Sequence, residues 1–232
     1  CIWRHYRFRR RNAGDIGGIM FDIAYMRTAQ KEAGYANHAL DPGKETYAGI
    51  SRKFHPYWIG WKMVDQAKRM LDIREPFKTN DAANKYQLRL LNETLKSDEK
   101  LQRLVKEFYR MNFWYELKCD KIKNIDIASE LYDTAVNCGL QPAALFLQRS
   151  LNVLNNCEKR WLDIAEDGAI GPNTCHAANI CINKGYKSQL FKMMNILQGY
   201  YYYSICRAEK GEEQEIMMMG WLKRVEIIKH DN

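Results

Sequence analysis

The 232-residue chain predicts a mainly α-helical fold, on three observations. Apolar residues recur at helical spacing almost everywhere from Met63 onward, no convincing period-2 run stands against them, and only five prolines interrupt the chain. The elements follow in order. A first helix carries Ile23, Met26, Arg27 and Gln30 and should end at Ala33-Gly34. A turn-rich stretch, Asn37–Gly49, then holds Asp41-Pro42-Gly43, which favours a tight turn. At most a short hairpin fits near Thr46–Ser51. Met63, Val64, Ala67, Met70 and Leu71 draw the next helical stripe, and Leu101, Leu104, Val105 and Phe108 another. Lys118–Asn124 is charged and reads as a linker between two helical halves. Beyond it come Leu147, Leu151 and Leu154, then Leu190, Met193, Met194, Leu197, Tyr201 and Ile205. The final stripe is Met218, Trp221, Leu222, Val225 and Ile228. Between these sets, Asp167-Gly168 makes a turn, and Gly171-Pro172 reads as a helix start with proline at its first position.

Composition narrows the class. A 46% hydrophobic content can bury a core, and it excludes a collagenous or wholly disordered chain. No run of about 18 apolar residues occurs, so no membrane span is expected. Residues 1–19 hold five arginines (Arg4, Arg7, Arg9, Arg10 and Arg11) against Asp15, and so half of the net charge of +8. This basic leader is either a nucleic-acid arm or a non-native segment ahead of a natural start at Met20. It lacks the apolar stretch of a secretory signal, so synthesis in the cytoplasm is expected. Seven cysteines include no CxxC pair, and Cys175-His176 alone cannot supply four ligands. Reduced, buried thiols are expected, with no metal and no cofactor.

Catalytic chemistry is best placed at Glu32. A carboxylate at a helix end, facing a loop with Asp41, Glu45, Thr46 and Tyr47, can assemble a two-carboxylate site. One acid is then kept protonated and the other charged. An exposed helix-end glutamate is the plainer reading of the same residue.

The run Glu32-Ala33-Gly34-Tyr35-Ala36-Asn37, with Asp41-Pro42-Gly43, Glu45-Thr46 and Gly49-Ile50-Ser51, resembles the opening motif of glycoside hydrolase family 108. That family comprises N-acetylmuramidases of the phage-endolysin and secretion-activator type, with a motif of the form E-G-G-Y-x-N-D-P-x-D-P-G-G-x-T-x-x-G-I. The downstream half is similar to the family's peptidoglycan-binding partner domain. That similarity rests on Leu131–Asn137, Ala144–Leu151, Asp167–Pro172 and Gly220–Val225. The resemblance implies a lysozyme-like helical fold with a catalytic region over 20–125 and a wall-binding region over 126–228, followed by a tail at 229–232.

The implied reaction is cleavage of the β-1,4 bond between N-acetylmuramic acid and N-acetylglucosamine. Glu32 would be the general acid and Asp41 the second carboxylate, with Thr46 an alternative positioner of water. A Glu32–Asp41 carboxyl separation of about 6.5–9.5 Å would mean inversion, and about 5 Å retention. Ala33, His38, Ala39 and Lys44 depart from the family pattern without touching Glu32.

Sugar-binding residues are sought among aromatics and polar pairs. Tyr35, Tyr47, Tyr57, Trp58 and Trp61 form one aromatic group, and Tyr109, Phe113, Trp114 and Tyr115 a second. Such rings either carry sugar faces or fill the core. Tyr35 and Tyr47 are assigned to the cleft, with Asn37 and Thr46 beside them. Asp133 and Asn137, four apart on one helix face, either add polar groups to the cleft or bond to each other. Tyr200–Tyr203 sit on a helix and point in different directions. The expected partner is peptidoglycan, reached through a holin or another export route, with no nucleic acid. Two other readings remain open: a non-catalytic wall-binding module of the same fold, and a basic nucleic-acid-binding protein.

Overall fold

The computed structural model describes residues 16–29, 34–37, 45–73, 82–208 and 212–225. Among them the chain runs α1 (Ile16–Ala29), β1 (Tyr35–Asn37), β2 (Glu45–Tyr47), β3 (Ile50–Ser51), α2 (Gly60–Met70), α3 (Ala82–Ser97) and α4 (Glu99–Tyr109). It continues through α5 (Ile125–Cys138), α6 (Leu140–Leu154), α7 (Pro172–Asn183), α8 (Lys187–Cys206) and α9 (Glu212–Trp221). The fold is mainly α with one small antiparallel sheet, ordered β1-β2-β3. The chain forms two compact units. Among the described residues, one lies within Tyr25–Phe113; the other comprises those from Trp114 onward together with residues 16–24. The basic leader up to Asp15, Glu32 and Asp41 lie outside the described residues.

Helix α1 is described as far as Ala29, the expected end at Ala33 lying outside the described residues, and its buried line is Phe21, Ala24 and Thr28 rather than Ile23 and Met26. Met26 is 60% exposed. The i, i+3, i+7 spacing of the buried set is an equally good helical stripe, and the larger ring of Phe21 decides between them.

In the Tyr25–Phe113 unit, α2 buries Trp61, Val64 and Ala67, while Met70, in the helix's last turn, is exposed. Helix α4 buries Leu101, Val105 and Tyr109 and starts at Asp98, whose carboxylate accepts from the Lys100 and Leu101 amides at 3.0 Å each. That cap satisfies two of the amides a helix start leaves open. Leu91 and Leu95 of α3 complete this core. The hairpin between β2 and β3 turns on Ala48 and Gly49, both at positive φ (47° and 75°). These values match a type I′ turn, whose twist suits antiparallel strands. The Tyr109 hydroxyl donates to the Ala48 carbonyl at 2.8 Å and ties that turn to α4.

In the second unit, α5, α6 and α8 pack on one another around Ile127, Leu131, Tyr132, Leu147, Leu151, Leu190 and Met194. Alanines at 128, 135, 143 and 144 are fully buried and let the helices approach closely. Phe21, Trp114 and Tyr132 meet edge to face, with ring centroids 5.7–6.0 Å apart. Asn124 caps α5, and Pro172 opens α7 at its first position as expected. The Tyr200–Tyr203 run divides as helical geometry requires: Tyr202 is buried, while Tyr200 and Tyr203 are exposed.

Lys118–Asn124 is not a loose linker. Cys119 and Ile122 are buried, and the Asn179 side chain on α7 accepts from the Lys123 amide at 2.8 Å and donates to the Lys121 carbonyl at 2.9 Å. Lys121 and Lys123 face water, Lys118 donates to the Ile170 carbonyl, and two apolar residues anchor the segment. Cys119, Cys175 and Cys181 are buried free thiols, whereas Cys157 is exposed. No described helix is long and apolar enough to cross a membrane.

Candidate active site

The sheet's register explains its tyrosines. Tyr35 pairs with Tyr47, and Tyr47 with Ile50, so the three side chains share one face. That face is the core: Tyr35 is 3% exposed and Tyr47 4%. The structure therefore gives the two rings assigned to a sugar cleft a packing role. Their hydroxyls are engaged as well. Tyr35 Oη donates to Glu45 Oε1 at 2.9 Å, and Tyr47 Oη accepts from Gln102 Nε2 at 2.8 Å. Burial raises the Tyr47 phenol above its ordinary range, so it stays neutral. Thr46 pairs with Ala36 and Ser51, and Asn37 with Glu45; both are half-buried.

Glu45 is the centre of a charge network that joins the sheet to α2. Lys68 Nζ lies 2.7 Å from Glu45 Oε1, and Arg52 Nε lies 3.0 Å from Glu45 Oε2. The first is a well-formed hydrogen bond, while the Arg52 contact is an ion pair too bent for one. Arg52 also reaches Asp65 Oδ1 at 2.6 Å, and its guanidinium lies 4.5 Å from the Trp61 ring centroid. Glu45 and Lys68 are only 13% and 16% exposed, so water screens this pair weakly. The network clamps the point where the chain returns from the segment bearing Asp41. Asp65 and Lys68 also line a cleft of about 390 Å³ with Arg69, Asp72 and Ile73.

The chain just before β1 is held by α3. Asn92 Oδ1 accepts from the Tyr35 amide at 2.6 Å, while its Nδ2 donates to the Leu88 carbonyl at 3.0 Å. A Cβ on Gly34 would stand 2.1 Å from Asn92 Oδ1. Any side chain there would have to displace the Asn92 amide from the Tyr35 N–H, which favours glycine before the motif tyrosine.

Among the described site candidates, the structure brings Tyr35, Asn37, Thr46 and Tyr47 together on one small sheet. Asp133 and Asn137 lie in the other compact unit, on α5. There Asn137 Nδ2 donates to the Asp133 carbonyl at 2.6 Å and to its carboxylate at 3.1 Å, and Arg224 approaches that carboxylate at 3.6 Å. Sequence reading missed Arg52, Asp65, Lys68 and Asn92. Asp65 and Lys68 carried a faint signal in their i, i+3 spacing on a helix. Asn92, 57 residues from its partner, carried none.

In the second unit the DGAIGP turn is built around a buried glutamine. Gln148 Nε2 donates to Asp167 Oδ1 at 2.8 Å and to the Ala169 carbonyl at 2.9 Å, and its Oε1 accepts from the Gly168 amide at 3.0 Å. Gly168 sits at φ 72°, a conformation glycine adopts without strain. The Gln148 amide, with the Ala169 N–H, holds Asp167 below the usual carboxylate range. No group of three potential metal-ligating side chains occurs among the described residues.

Comparison with known proteins follows the two halves of the chain. Residues 25–139 match the family model described as Glycosyl hydrolase 108, and residues 142–226 match the Predicted Peptidoglycan domain. No curated protein matches the chain. Among solved structures the chain is similar to SagA of Brucella abortus, at 16% identity and a TM-score of 0.48, over 90% of this chain and 97% of that one. The first match begins within α1 and runs through the sheet, α2–α4 and α5, so it contains Glu32, the Glu45 network and the Asp133–Asn137 pair alike. Residues 25–139 thus belong to glycosyl hydrolase 108, a glycosidase family, and residues 142–226 to the predicted peptidoglycan domain that follows it.

Proposed function

We propose that the protein is an N-acetylmuramidase that cleaves the β-1,4 bond between N-acetylmuramic acid and N-acetylglucosamine in peptidoglycan. The observation that carries the reading is the fusion in one chain of a glycosidase family domain to a peptidoglycan domain. The family names support glycan hydrolysis and the wall as ligand. The choice of bond rests on the motif resemblance at Glu32–Ser51.

In this reading Glu32 donates its proton to the glycosidic oxygen as positive charge builds on the sugar ring. Asp41 then stabilises that charge or takes a proton from the attacking water. The described residues support this chemistry by fixing the frame on both sides of the two acids. Asn92 and Gly34 set the chain that leaves Glu32, while Lys68, Arg52 and Tyr35 set the Glu45 end of the segment that bears Asp41. A frame held by buried bonds keeps reacting groups within the tolerance that catalysis needs. The protein would act on the cell wall after leaving the cytoplasm through a holin or another export route.

Digestion of purified peptidoglycan tests the assignment. New reducing-end N-acetylmuramic acid is expected. New reducing-end N-acetylglucosamine would reassign the bond, and new free amines would replace the glycosidase by a peptidase.

A further inference from the structure

The segment Lys53–Ile59, between β3 and α2, combines a fixed backbone with exposed rings. The His55 amide donates to the Ser51 carbonyl at 2.9 Å, the Trp58 amide to the His55 carbonyl at 3.2 Å, and Trp61 Nε1 to that same His55 carbonyl at 2.8 Å. Trp58 lies over Gly60, where a Cβ would stand 2.3 Å from its ring, and meets Trp61 edge to face at 5.3 Å. The His55 ring packs edge-on against Phe108 at 4.7 Å. Yet Phe54 is 66% exposed, Tyr57 95% and Ile59 57%.

Packing does not account for these side chains. A pinned turn needs no apolar residues on its outer side, and large exposed apolar groups that cluster mark a binding surface. The chemistry of the patch selects the ligand. Its two most exposed apolar side chains, Phe54 and Tyr57, are aromatic, it carries a phenol and an imidazole, and Lys53 lies over the Phe54 ring at 5.3 Å. Flat rings with polar rims suit the C–H faces of pyranose sugars and their hydroxyls. An anionic membrane would call for a cluster of basic residues. The loop's fixed backbone also means that little ordering entropy is lost when a ligand settles on it.

We propose that Phe54 and Tyr57, exposed on the turn that His55 and Trp58 anchor to Phe108 and Trp61, form a glycan platform on the glycosidase-matched unit, where a peptidoglycan strand rests its sugar faces. The inference builds on the muramidase reading and adds a place where the strand is held. It also reassigns the aromatic contribution from Tyr35 and Tyr47, which fill the core, to the rings that face water.

The test uses the full chain, wild type and the Phe54→Ala/Tyr57→Ala double variant. Both side chains are exposed, so the fold should be retained, and a matching thermal melt checks this. Binding of N-acetylglucosamine hexamer is followed by tryptophan fluorescence, and KM is measured on solubilised glycan strands. The variant should weaken hexamer binding about tenfold and raise KM by a similar factor, with a much smaller effect on kcat. Tyr57→Trp should retain binding. Unchanged hexamer affinity in the double variant overturns the platform even if the wild type releases reducing ends. If the wild type releases none, the muramidase reading fails, and the hexamer titration still decides the platform by itself. Ring-dependent binding to phosphatidylglycerol vesicles without hexamer binding would overturn the glycan assignment in favour of a lipid surface.

Discussion

Removing the charge of Glu45 is the sharpest structural perturbation of the frame around the site. Glu45→Gln keeps the size of the side chain and an oxygen for the Tyr35 hydroxyl, but leaves Lys68 and Arg52 without their shared carboxylate. Hydrogen bonds to charged groups contribute about 1.5–3 kcal/mol each. Arg52 is largely compensated, because Asp65 Oδ1 remains 2.6 Å away. Lys68 loses its nearest carboxylate and is left with weaker contacts, among them the Tyr35 hydroxyl at 3.3 Å and Asp65 at 3.9 Å. The loss therefore falls mainly on one nearly buried ammonium, and a destabilisation of about 2 kcal/mol is expected. Urea unfolding followed by tryptophan fluorescence suits the question, as Trp61 lies beneath Arg52. A double-mutant cycle with Lys68→Met should give a coupling of about 1.5 kcal/mol that persists at high salt. A coupling below about 0.5 kcal/mol, the range of solvated surface pairs, would refute the view that this network fixes the sheet to α2.

Other consequences can be checked on the same footing. Gln148→Leu removes three hydrogen bonds from the DGAIGP turn, one of them to a carboxylate, and should cost about 3 kcal/mol; a loss under about 1 kcal/mol in denaturant titration would contradict it. Asp167 has its folded value depressed below 3.8, so the stability it contributes is fully present above that ordinary value and is lost as pH falls through the folded one. Asp167→Asn should accordingly flatten the acid limb of the stability profile below about pH 4, and an unaltered limb would exclude the mechanism. Ala48→Asn places a residue tolerant of positive φ in the type I′ turn and should stabilise by about 1 kcal/mol, read as a higher melting temperature; a lower one would count against the turn assignment.

The helical class was legible because the stripes that predict it are properties of single segments. Leu101 and Val105, Leu147 and Leu151, and Leu190 and Met194 are buried as their spacing implies. The start of α7 at Gly171-Pro172 was equally local. Which of several apolar neighbours a helix buries was less legible: Met70 and Met26 fit their stripes yet face water. The sheet shows the deeper reason. Tyr35 and Tyr47 enter the core only because Tyr35 pairs with Tyr47 and Tyr47 with Ile50, a register set by the turn at Ala48-Gly49 and by Asn92 on a distant helix. Tyr57 is as aromatic as either and lies ten residues from Tyr47, yet it is almost fully exposed. Composition marks all three rings as candidates, and tertiary pairing decides which of them can meet a ligand. For Asp133 and Asn137, the i, i+4 spacing left open whether they add polar groups to a cleft or bond to each other; the structure shows the mutual bond, at 3.1 Å.

The most direct measurement compares the products of purified peptidoglycan digested by the wild-type chain and by Glu32→Gln. New reducing-end N-acetylmuramic acid is expected from the wild type, with a loss of at least about a hundredfold in the variant, the scale of removing a general acid. Equal release of reducing ends by both proteins would contradict Glu32 as the acid. Release of free amines with no new reducing ends would contradict the muramidase itself.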